Sequence, residues 1–475
     1  MKVMKFGGTL MGSAAAIQRS AELVLRWAGQ EAVVTVVSAM AGVTEALLKL
    51  GAQAEAGELE EVTAGWKALR FRHLEAGASL GTQAATLEQI DELLETLRQT
   101  LYGIYLLREL SGRSRDLLLS FGERLSAPLM AAALTKAGSR AVALTGGEAG
   151  LLTSDHFGHA RPLPQTAERL SLQLLPLLAE GSIPVVTGFI GETSSGVITT
   201  LGRGGSDYTA TLIGAALKAD EVWTWKDVDG VMSADPRMVE GAVNLEYLSY
   251  GEVMELAHFG AKVLHPLAVT PLQESGIPLR VKSAADPDAA GTLVRAESGP
   301  SGPVKAVTSL RQACILTVSG AGMVDAPESL AQIFSLLAQR GISALMISQS
   351  SSMANLSLVL RAAEGQPALS LLSERFLRSE WVRDVQLREQ VAVVAVVGEG
   401  MRGTQGVAAK LFGALAAEGI NLLMIAQGSS ELNISLAIEA KDEALAVRAA
   451  HQAFLSRPDH SSKKAAGSGR LSVSH

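Results

Sequence analysis

Hydrophobic residues recur along the first 50 residues with two alternating periods. A short apolar run at residues 2–6 predicts a strand, residues 13–28 follow helical spacing, and the β-branched run at 32–37 predicts a second strand that is buried on both faces. The order strand, helix, strand is typical of α/β domains with a parallel sheet. The pattern therefore predicts that the chain begins as an α/β domain.

Residues 51–118 have a different character. They are rich in Ala, Leu and Glu at helical spacing, most clearly at 58–73 and 87–110, and predict a helical insertion that serves packing or a dimer surface. Strand patterns then return at 140–144, 183–188, 221–225 and 278–281. We predict one α/β domain over residues 1–295, with a Gly- and Pro-rich linker at 296–303.

An internal repeat follows the linker. Identical residues recur at a constant offset of 78 positions, as at Gly341 and Gly419, Gln349 and Gln427, and Asn355 and Asn433. Each copy has the pattern of a strand, a helix, two strands and a second helix. This order predicts two ferredoxin-like βαββαβ units.

The two copies differ at their ends. The first copy has apolar residues for a fourth strand at 382–387, whereas the second copy ends near residue 455 in a tail of Ser, Lys and Gly that we expect to be disordered (456–475). Because residues 304–310 are otherwise unassigned, we predict that they return as the missing strand of the second unit. The first unit would then cover 313–390, and the second would cover 304–312 plus 391–455.

Composition narrows the classes of function. The chain has 475 residues, 48% of them apolar, which is enough for about two to four domains. Its net charge of −7 has both signs interspersed, and no basic run is interleaved with aromatic residues, so we expect neither nucleic acid nor a membrane as a partner. Cys314 is the one cysteine in the sequence, which excludes an intrachain disulfide and a Cys-based zinc cluster. The sequence shows neither a signal peptide nor a long apolar span, so we predict a cytoplasmic location.

Two glycine-rich turns carry the candidate chemistry. Residues 199–210 read TTLGRGGSDYTA, and residues 5–9 read KFGGT at the end of the first predicted strand. Glycines allow backbone N–H groups to approach a phosphate closely, and a lysine adds a point charge. Taken alone, the first of these turns is also compatible with a hairpin between strands. Neither turn is a Walker A or GxGxxG sequence, so together they indicate a phosphate site of another kind.

Further motifs complete a set. They are SAMAGVT (38–44), GERLSA (122–127), DVDGV (227–231), ADPR (234–237) and FGAKVLHP (259–266). In order and approximate spacing, all of these motifs resemble those of the aspartate kinases, within the amino-acid kinase superfamily, over about residues 1–440. The resemblance implies an α/β fold: an amino-acid-kinase three-layer sandwich with a helical insertion, followed by two ferredoxin-like ACT domains, which are small amino-acid-sensing modules.

The resemblance also implies a reaction. ATP and L-aspartate would give ADP and 4-phospho-L-aspartate, the first step towards lysine, threonine and methionine, with Mg²⁺ held mainly through the nucleotide phosphates. The ACT domains would pair to form a homodimer, and lysine or threonine would act as a feedback effector.

The resemblance assigns roles to individual residues. Lys5 and Asp207 would be catalytic. The aspartate would contact Glu123 through its α-ammonium and Arg203 through its α-carboxylate, and the other substrate-binding residues would be Ser38, Thr44 and Ser206. The residues implied for ATP are Lys5, Gly7, Gly8, Gly204, Gly205, Lys226, Asp227, Met232, Arg237 and Lys262. Those implied for an effector are Met323, Ser343, Ser348, Asn421 and Gln427. His265, between a leucine and a proline, is interpreted as a structural hydrogen-bonding residue.

The chain departs from the family pattern at a few positions. Leu10 stands where a serine is usual, Lys226 stands where a threonine is usual, and Ser343 stands where the second repeat has Asn421. A superfamily enzyme acting on glutamate, acetylglutamate or UMP is one alternative, disfavoured by GERLSA and the tandem repeats. An amino-acid-sensing protein with an inactive kinase domain is the other. The presence of Lys5, Arg203 and Asp207 favours the enzyme.

Overall fold

The computed structural model describes residues 1–260, 264–297, 299, 302–320, 327–350, 354–377 and 381–455. The chain divides into two compact units. The first contains Met1–Met232 and Asn244–Pro300, and the second contains Ser233–Val243 and Ser301–His475. The predicted positions Lys262 and Met323 and the predicted tail lie outside the described residues.

The first unit is an α/β domain. Its strands are β1 (Lys2–Phe6), β2 (Val33–Val37), β3 (Ala141–Leu144), β4 (Ile183–Thr187), β5 (Ile190–Glu192), β6 (Ile198–Thr200), β7 (Glu221–Lys226), β8 (Tyr247–Ser249), β9 (Leu279–Ser283) and β10 (Thr292–Arg295). Its helices are α1 (Ala14–Ala28), α2 (Val43–Ala56), α3 (Leu59–Leu80), α4 (Ala84–Leu107), α5 (Gly112–Lys136), α6 (Thr166–Ala179), α7 (Gly205–Leu217), α8 (Tyr250–His258) and α9 (Pro266–Ser275).

Within the described residues, eight of these strands form one sheet in the order β3-β4-β2-β1-β7-β9-β10-β8. All neighbouring pairs are parallel except β9 and β10. Strands β2 and β4 are buried along their whole length, which their runs of valine and isoleucine favour. Helices α1 and α5 pack together on one side of the sheet, while α6, α7 and α9 pack on the other. The predicted three-layer sandwich is thus confirmed.

Four helices, α2 to α5, pack against one another between β2 and β3. Two of them differ in length from the predicted segments. Helix α3 continues to Leu80, and α4 ends at Leu107 because Arg108 adopts a left-handed conformation (φ 54°). Helix α5 is long and apolar enough to cross a bilayer, but 83% of its apolar window is buried inside the protein, as in the core helix of a folded domain.

The second unit is built around a six-stranded antiparallel sheet, counted over the described residues, in the order β12-β13-β11-β14-β16-β15. Its strands are β11 (Ala306–Ser319), β12 (Met346–Gln349), β13 (Asn355–Arg361), β14 (Asp384–Val397), β15 (Met424–Ala426) and β16 (Asn433–Glu439). Its helices are α10 (Pro327–Gln339), α11 (Ala362–Phe376), α12 (Val407–Ala417) and α13 (Glu443–Leu455).

The two central strands are longer than the sequence pattern predicted. The strands predicted at 304–310 and 382–387 were expected to be separate short strands, but the structure joins each of them to the strand that follows it, as β11 and β14. Neither junction contains Gly or Pro to end a strand, and a bulge between Leu310 and Ala313 absorbs the irregularity. The first half of β11 pairs with Val393–Val397, and the second half lies between β13 and the beginning of β14.

The segment Ser233–Val243 belongs to the second unit although both of its neighbours along the chain belong to the first. Ala234 and Val239 are buried in a core that includes Val307 and Leu411. The Val307 N–H donates to the Ser233 carbonyl (2.8 Å).

Candidate active site

A cavity of about 780 Å³ opens at the carboxyl ends of strands β1 and β2. In parallel α/β sheets, ligands bind at this edge. All seven residues predicted for catalysis and substrate binding line the cavity, together with three glycines predicted for ATP. They are Lys5, Gly8, Ser38, Thr44, Glu123, Arg203, Gly204, Gly205, Ser206 and Asp207.

Lys5 and Asp207 form a buried ion pair in this cavity. The Lys5 ammonium lies 2.8 Å from the Asp207 carboxylate, and their side chains are 9% and 12% exposed. Asp207 is in the first turn of α7, where a carboxylate is stabilised by the helix dipole. Burial alone would raise the pKa of Asp207, but the charges of Lys5 and Lys226 outweigh it and hold the pKa below its usual value. The pair therefore keeps a cation at a fixed place in the cleft.

Glycines on both sides leave the backbone accessible. Gly7 follows β1, and a methyl group built on Gly7 would lie 3.8 Å from the Lys5 ammonium. Gly204 has a left-handed conformation (φ 71°) and directly precedes α7. A methyl group on Gly204 would lie only 2.2 Å from Cβ of His265. The turn is thus shaped for glycine, and backbone N–H groups at the start of α7 can face an anion.

Glu123 is a buried carboxylate of α5. It is 4% exposed, and its Oε2 atom has no hydrogen-bond partner among the described residues. Burial raises its pKa to about 8, although the Ala39 N–H and the charge of Lys5 favour the ionised form. A ligand cation beside Glu123 would supply the counter-charge that the group lacks.

Arg203 is exposed and lies between two glycines with positive φ, Gly202 (76°) and Gly204 (71°). Within the described part of the chain, its guanidinium makes no ion pair or side-chain hydrogen bond. An exposed guanidinium without such partners can bind the carboxylate of a ligand through two parallel hydrogen bonds.

Among the predicted nucleotide residues that the structure describes, Lys226, Asp227, Met232 and Arg237 do not line this cavity. Lys226 is half-buried at the end of β7, and the β1–β7 register places it on the same face of the sheet as Lys5, because Lys5 is paired with Thr224. Asp227 is exposed, and Met232 forms a bridge with Asn244. Arg237 belongs to the second unit, where it is paired with Asp235.

Some residues that line the cavity were missed by the sequence analysis. They are Arg115, Asp116, His159 and Phe189. Asp116 precedes Glu123 by seven residues, two helical turns, so the helical period places both on one face of α5. That spacing was a usable signal. His265 does not line the cavity; it caps α9, with its Nδ1 accepting from the Leu267 N–H.

The predicted effector residues that the structure describes lie in the second unit. Ser343 and Asn421 are both exposed, and each precedes an edge strand, β12 or β15. Ser348 is half-buried in β12 opposite Ser357, and Gln427 is exposed just after β15.

Family models and curated relatives indicate the same protein family for this chain. Residues 1–283 match the model of the amino acid kinase family, and residues 316–376 and 394–454 match that of the ACT domain. Aspartokinase 2, chloroplastic, of Arabidopsis thaliana is 35% identical over 464 residues, covering 95% of this chain and 84% of that protein.

Two solved structures superpose on this chain over nearly its full length. Escherichia coli aspartokinase III in complex with aspartate and ADP (R-state) has a TM-score of 0.82 at 35% identity, covering 95% of this chain and 99% of that one. The same enzyme in complex with lysine and aspartate (T-state) has a TM-score of 0.78 at 34% identity, covering 96% and 100%. The resemblance read from the motifs is confirmed, and the chain belongs to the aspartokinases, the ACT-containing members of the amino acid kinase family that phosphorylate aspartate.

Proposed function

We propose that this aspartokinase transfers the γ-phosphoryl group of ATP to the β-carboxylate of L-aspartate in the cavity around Lys5 and Asp207. The buried Lys5–Asp207 pair, between two glycine turns, is the observation that carries the proposal. An aspartate carboxylate is already ionised at neutral pH, so the reaction requires no general base. The main difficulty is to bring the aspartate carboxylate close to the negatively charged γ-phosphate. The Lys5 ammonium, fixed by Asp207, reduces this repulsion.

The acceptor amino acid would be bound from both ends. Arg203 would bind its α-carboxylate and Glu123 its α-ammonium, with Ser38, Thr44 and Ser206 as neutral hydrogen-bonding partners. The geometry supports these two roles because the exposed Arg203 guanidinium and the Glu123 carboxylate, whose Oε2 lacks a hydrogen-bond partner among the described residues, line the same cavity. An amino acid held at these two groups is oriented before the phosphoryl group arrives.

The nucleotide phosphates would be bound by Lys5, the N–H groups of Gly7, Gly8, Gly204 and Gly205, and Lys226. Asp227, Met232, Arg237 and Lys262 are proposed as further nucleotide contacts on the family pattern. Asp207 is paired with Lys5, Asp116 accepts hydrogen bonds from Gly158 and Thr200, and the described residues contain no group of three or more His, Cys, Asp or Glu side chains that could hold a metal ion by themselves. This donor set fits a Mg²⁺ ion that is held mainly by the phosphates. When bound, Mg²⁺ neutralises phosphate charge.

Regulation and assembly are part of the proposal. A lysine effector is supported by the lysine complex of E. coli aspartokinase III, with threonine as the other candidate, and Met323, Ser343, Ser348, Asn421 and Gln427 as the candidate contacts. Inhibition curves with each amino acid test this. Strands β12 and β15 contact each other within the chain and expose Ile347 and Ile425, and this exposed apolar surface supports pairing of ACT domains in a homodimer.

The domain limits given in the sequence analysis are proposed on the same grounds. The matched ACT segments and the pairing of residues 306–310 with the second repeat support an insertion of the first ACT unit into the second. A cytoplasmic location remains a prediction.

The test of catalysis is an ATP-dependent assay with Mg²⁺ and L-aspartate in which hydroxylamine traps the acyl phosphate. Lys5→Ala should lower kcat by about 10²–10³-fold, since it removes a charge that stabilises the transition state. Lys2→Ala is the matched control, because Lys2 lies in the same strand but is paired with Glu31 at the opposite end. It should keep normal activity.

The outcomes separate the alternatives. A hydroxamate signal that needs aspartate and is lost only with Lys5→Ala supports the proposal. A signal that appears with glutamate or acetylglutamate instead would indicate a different acceptor. No product from a folded protein that binds ATP would favour an amino-acid sensor.

A further inference from the structure

Asp116 is a buried acidic residue in the active-site cavity to which the proposed mechanism gives no role. Its residue exposure is 0%, and it lies in α5 two turns before Glu123. Both side chains line the same cavity. A buried carboxylate is costly unless its oxygens accept hydrogen bonds, so its partners indicate what it does.

The Asp116 carboxylate accepts three hydrogen bonds from two separate segments. Its Oδ2 atom accepts from the Gly158 N–H (3.0 Å) and from the Thr200 N–H (2.8 Å). Its Oδ1 atom accepts from the Thr200 hydroxyl (2.8 Å). One side chain therefore connects a helix, the loop at Gly158 and the end of β6.

These two segments form the base of the turn that carries Arg203. The Ala160 N–H donates to the Thr200 carbonyl (2.9 Å), which adds a direct link between them. Gly202 lies against the loop, because a methyl group there would be 2.9 Å from the Gly158 carbonyl and 2.8 Å from Nδ1 of His159. Arg203 follows directly and has no side-chain partner among the described residues. The position of Arg203 is therefore set by the backbone of the turn that carries it.

We propose that Asp116 is a positioning residue for aspartate recognition. By fixing Thr200 and Gly158, it holds the backbone from which Arg203 reaches the α-carboxylate of the substrate. This inference rests on the proposed role of Arg203. Most of the proposed phosphate contacts, Lys5, Gly7, Gly8 and Lys226, lie on β1, the turn after it and β7, which these hydrogen bonds do not fix, so aspartate binding should be affected more than ATP binding.

The test compares two substitutions at one position. Asp116→Ala removes all three acceptors and should raise the KM for aspartate by about tenfold to a hundredfold, the scale expected when a binding group is displaced by about 1 Å. The dissociation constant for ATP should change by less than about threefold. In Asp116→Asn, the amide oxygen can accept both backbone N–H groups while the amide nitrogen donates to the Thr200 hydroxyl. This variant should restore the KM for aspartate to near the wild-type value.

Two further variants keep the test decisive. Glu221→Ala is the matched control, because Glu221 also accepts from several donors, on Arg280 and Trp223, but at the opposite end of β7 from Lys226. It should lower thermal stability without changing the KM for aspartate. If Asp116→Ala does not fold, Thr200→Val removes the single bond to Oδ1 and should still raise the KM for aspartate, by a smaller factor.

The result that overturns the inference is a folded Asp116→Ala, or Thr200→Val in its place, with an unchanged KM for aspartate. A parallel rise in the KM for aspartate and the ATP dissociation constant would overturn it too, because that pattern reports general loosening. A wild-type protein without aspartate-dependent hydroxamate would overturn the proposed function itself, and the role of Asp116 with it. If the wild type is active, a negative result with the variants overturns only the role of Asp116 and not the proposed function.

Discussion

At the scale of single residues, Glu123 shows a conflict between stability and binding. Its buried carboxylate lacks a partner at Oε2, and its pKa is raised to about 8, chiefly by burial. Ionising such a group without a counter-charge destabilises the folded state. The α-ammonium of aspartate would provide that charge. We therefore interpret the unfavourable environment of Glu123 as preparation for a cationic ligand.

Glu123→Gln should make the unliganded protein more stable at alkaline pH. The pKa of Glu123 rises from 4.5 when exposed to about 8 in the fold. Its contribution to the free energy of unfolding is therefore present below about pH 4.5 and is lost as the pH rises through about 8. At pH 8.5 the variant should exceed the wild type by up to roughly 5 kcal/mol, since a shift of about 3.5 pKa units corresponds to about 1.4 kcal/mol per unit. Denaturant unfolding at pH 5 and pH 8.5 measures this difference.

The same variant should bind aspartate more weakly. Wild-type protein should also release up to one proton per aspartate bound at pH 7, because the ligand cation favours ionised Glu123. Calorimetry in two buffers with different ionisation enthalpies detects that proton, and Glu123→Gln should abolish it. Equal proton release from both proteins would show that another group titrates.

At the scale of elements, the end of β7 carries Lys226, which we propose as a contact to the nucleotide phosphates. Parallel pairing of β1 with β7 puts Lys5 opposite Thr224, so Lys226 is on the same face of the sheet. Burial lowers the pKa of Lys226, while the charge of Asp207 opposes the shift. The sequence alone does not show on which face of the sheet this lysine lies, because only the pairing register decides the face.

Lys226→Thr, which introduces the residue usual in the family, should weaken ATP binding. One charged contact to a phosphate is worth about 1.5–3 kcal/mol, so the dissociation constant should rise by roughly tenfold or more. The KM for aspartate should change little. Titration with ATP measures the effect, and Lys67→Thr is a surface control, since Lys67 is exposed in α3. Identical ATP affinity in all three proteins would remove Lys226 from the nucleotide site.

The elements also show which parts of the fold a sequence can predict. Apolar runs such as β2 and the internal repeat have local signals, and they predicted the α/β domain and the ACT fold. The length of β11 has no such local signal, because the two predicted strands become one continuous strand only through pairing with β14. Asp116 is a similar case. Its bonds to Thr200 span 84 positions, and no local pattern indicates them.

At the scale of the whole molecule, the chain passes between its two units more than once. Ser233–Val243 leaves the first unit, contributes Ala234 and Val239 to the core of the second, and returns at Asn244. The Met232–Asn244 bridge closes this excursion on the side of the first unit. The predicted linker at 296–303 is therefore not the single connection between the units. The ADPR motif (234–237), one of the motifs of the kinase resemblance, thus lies in a segment that contributes to the core of the second unit.

A fragment ending at residue 297 should consequently fold poorly. Ala234 and Val239 are 4% and 8% exposed in the full chain, and without the second unit they lose the apolar side chains that cover them. Exposed apolar surface promotes self-association, so we expect aggregation in size-exclusion chromatography and a lower midpoint of thermal unfolding than in the full chain. Co-expression of residues 298–475 as a separate chain is the control and should restore the single species. A monomeric 1–297 fragment with an unchanged midpoint would show that the excursion contributes nothing to stability, and that the two units can be separated at the linker after all.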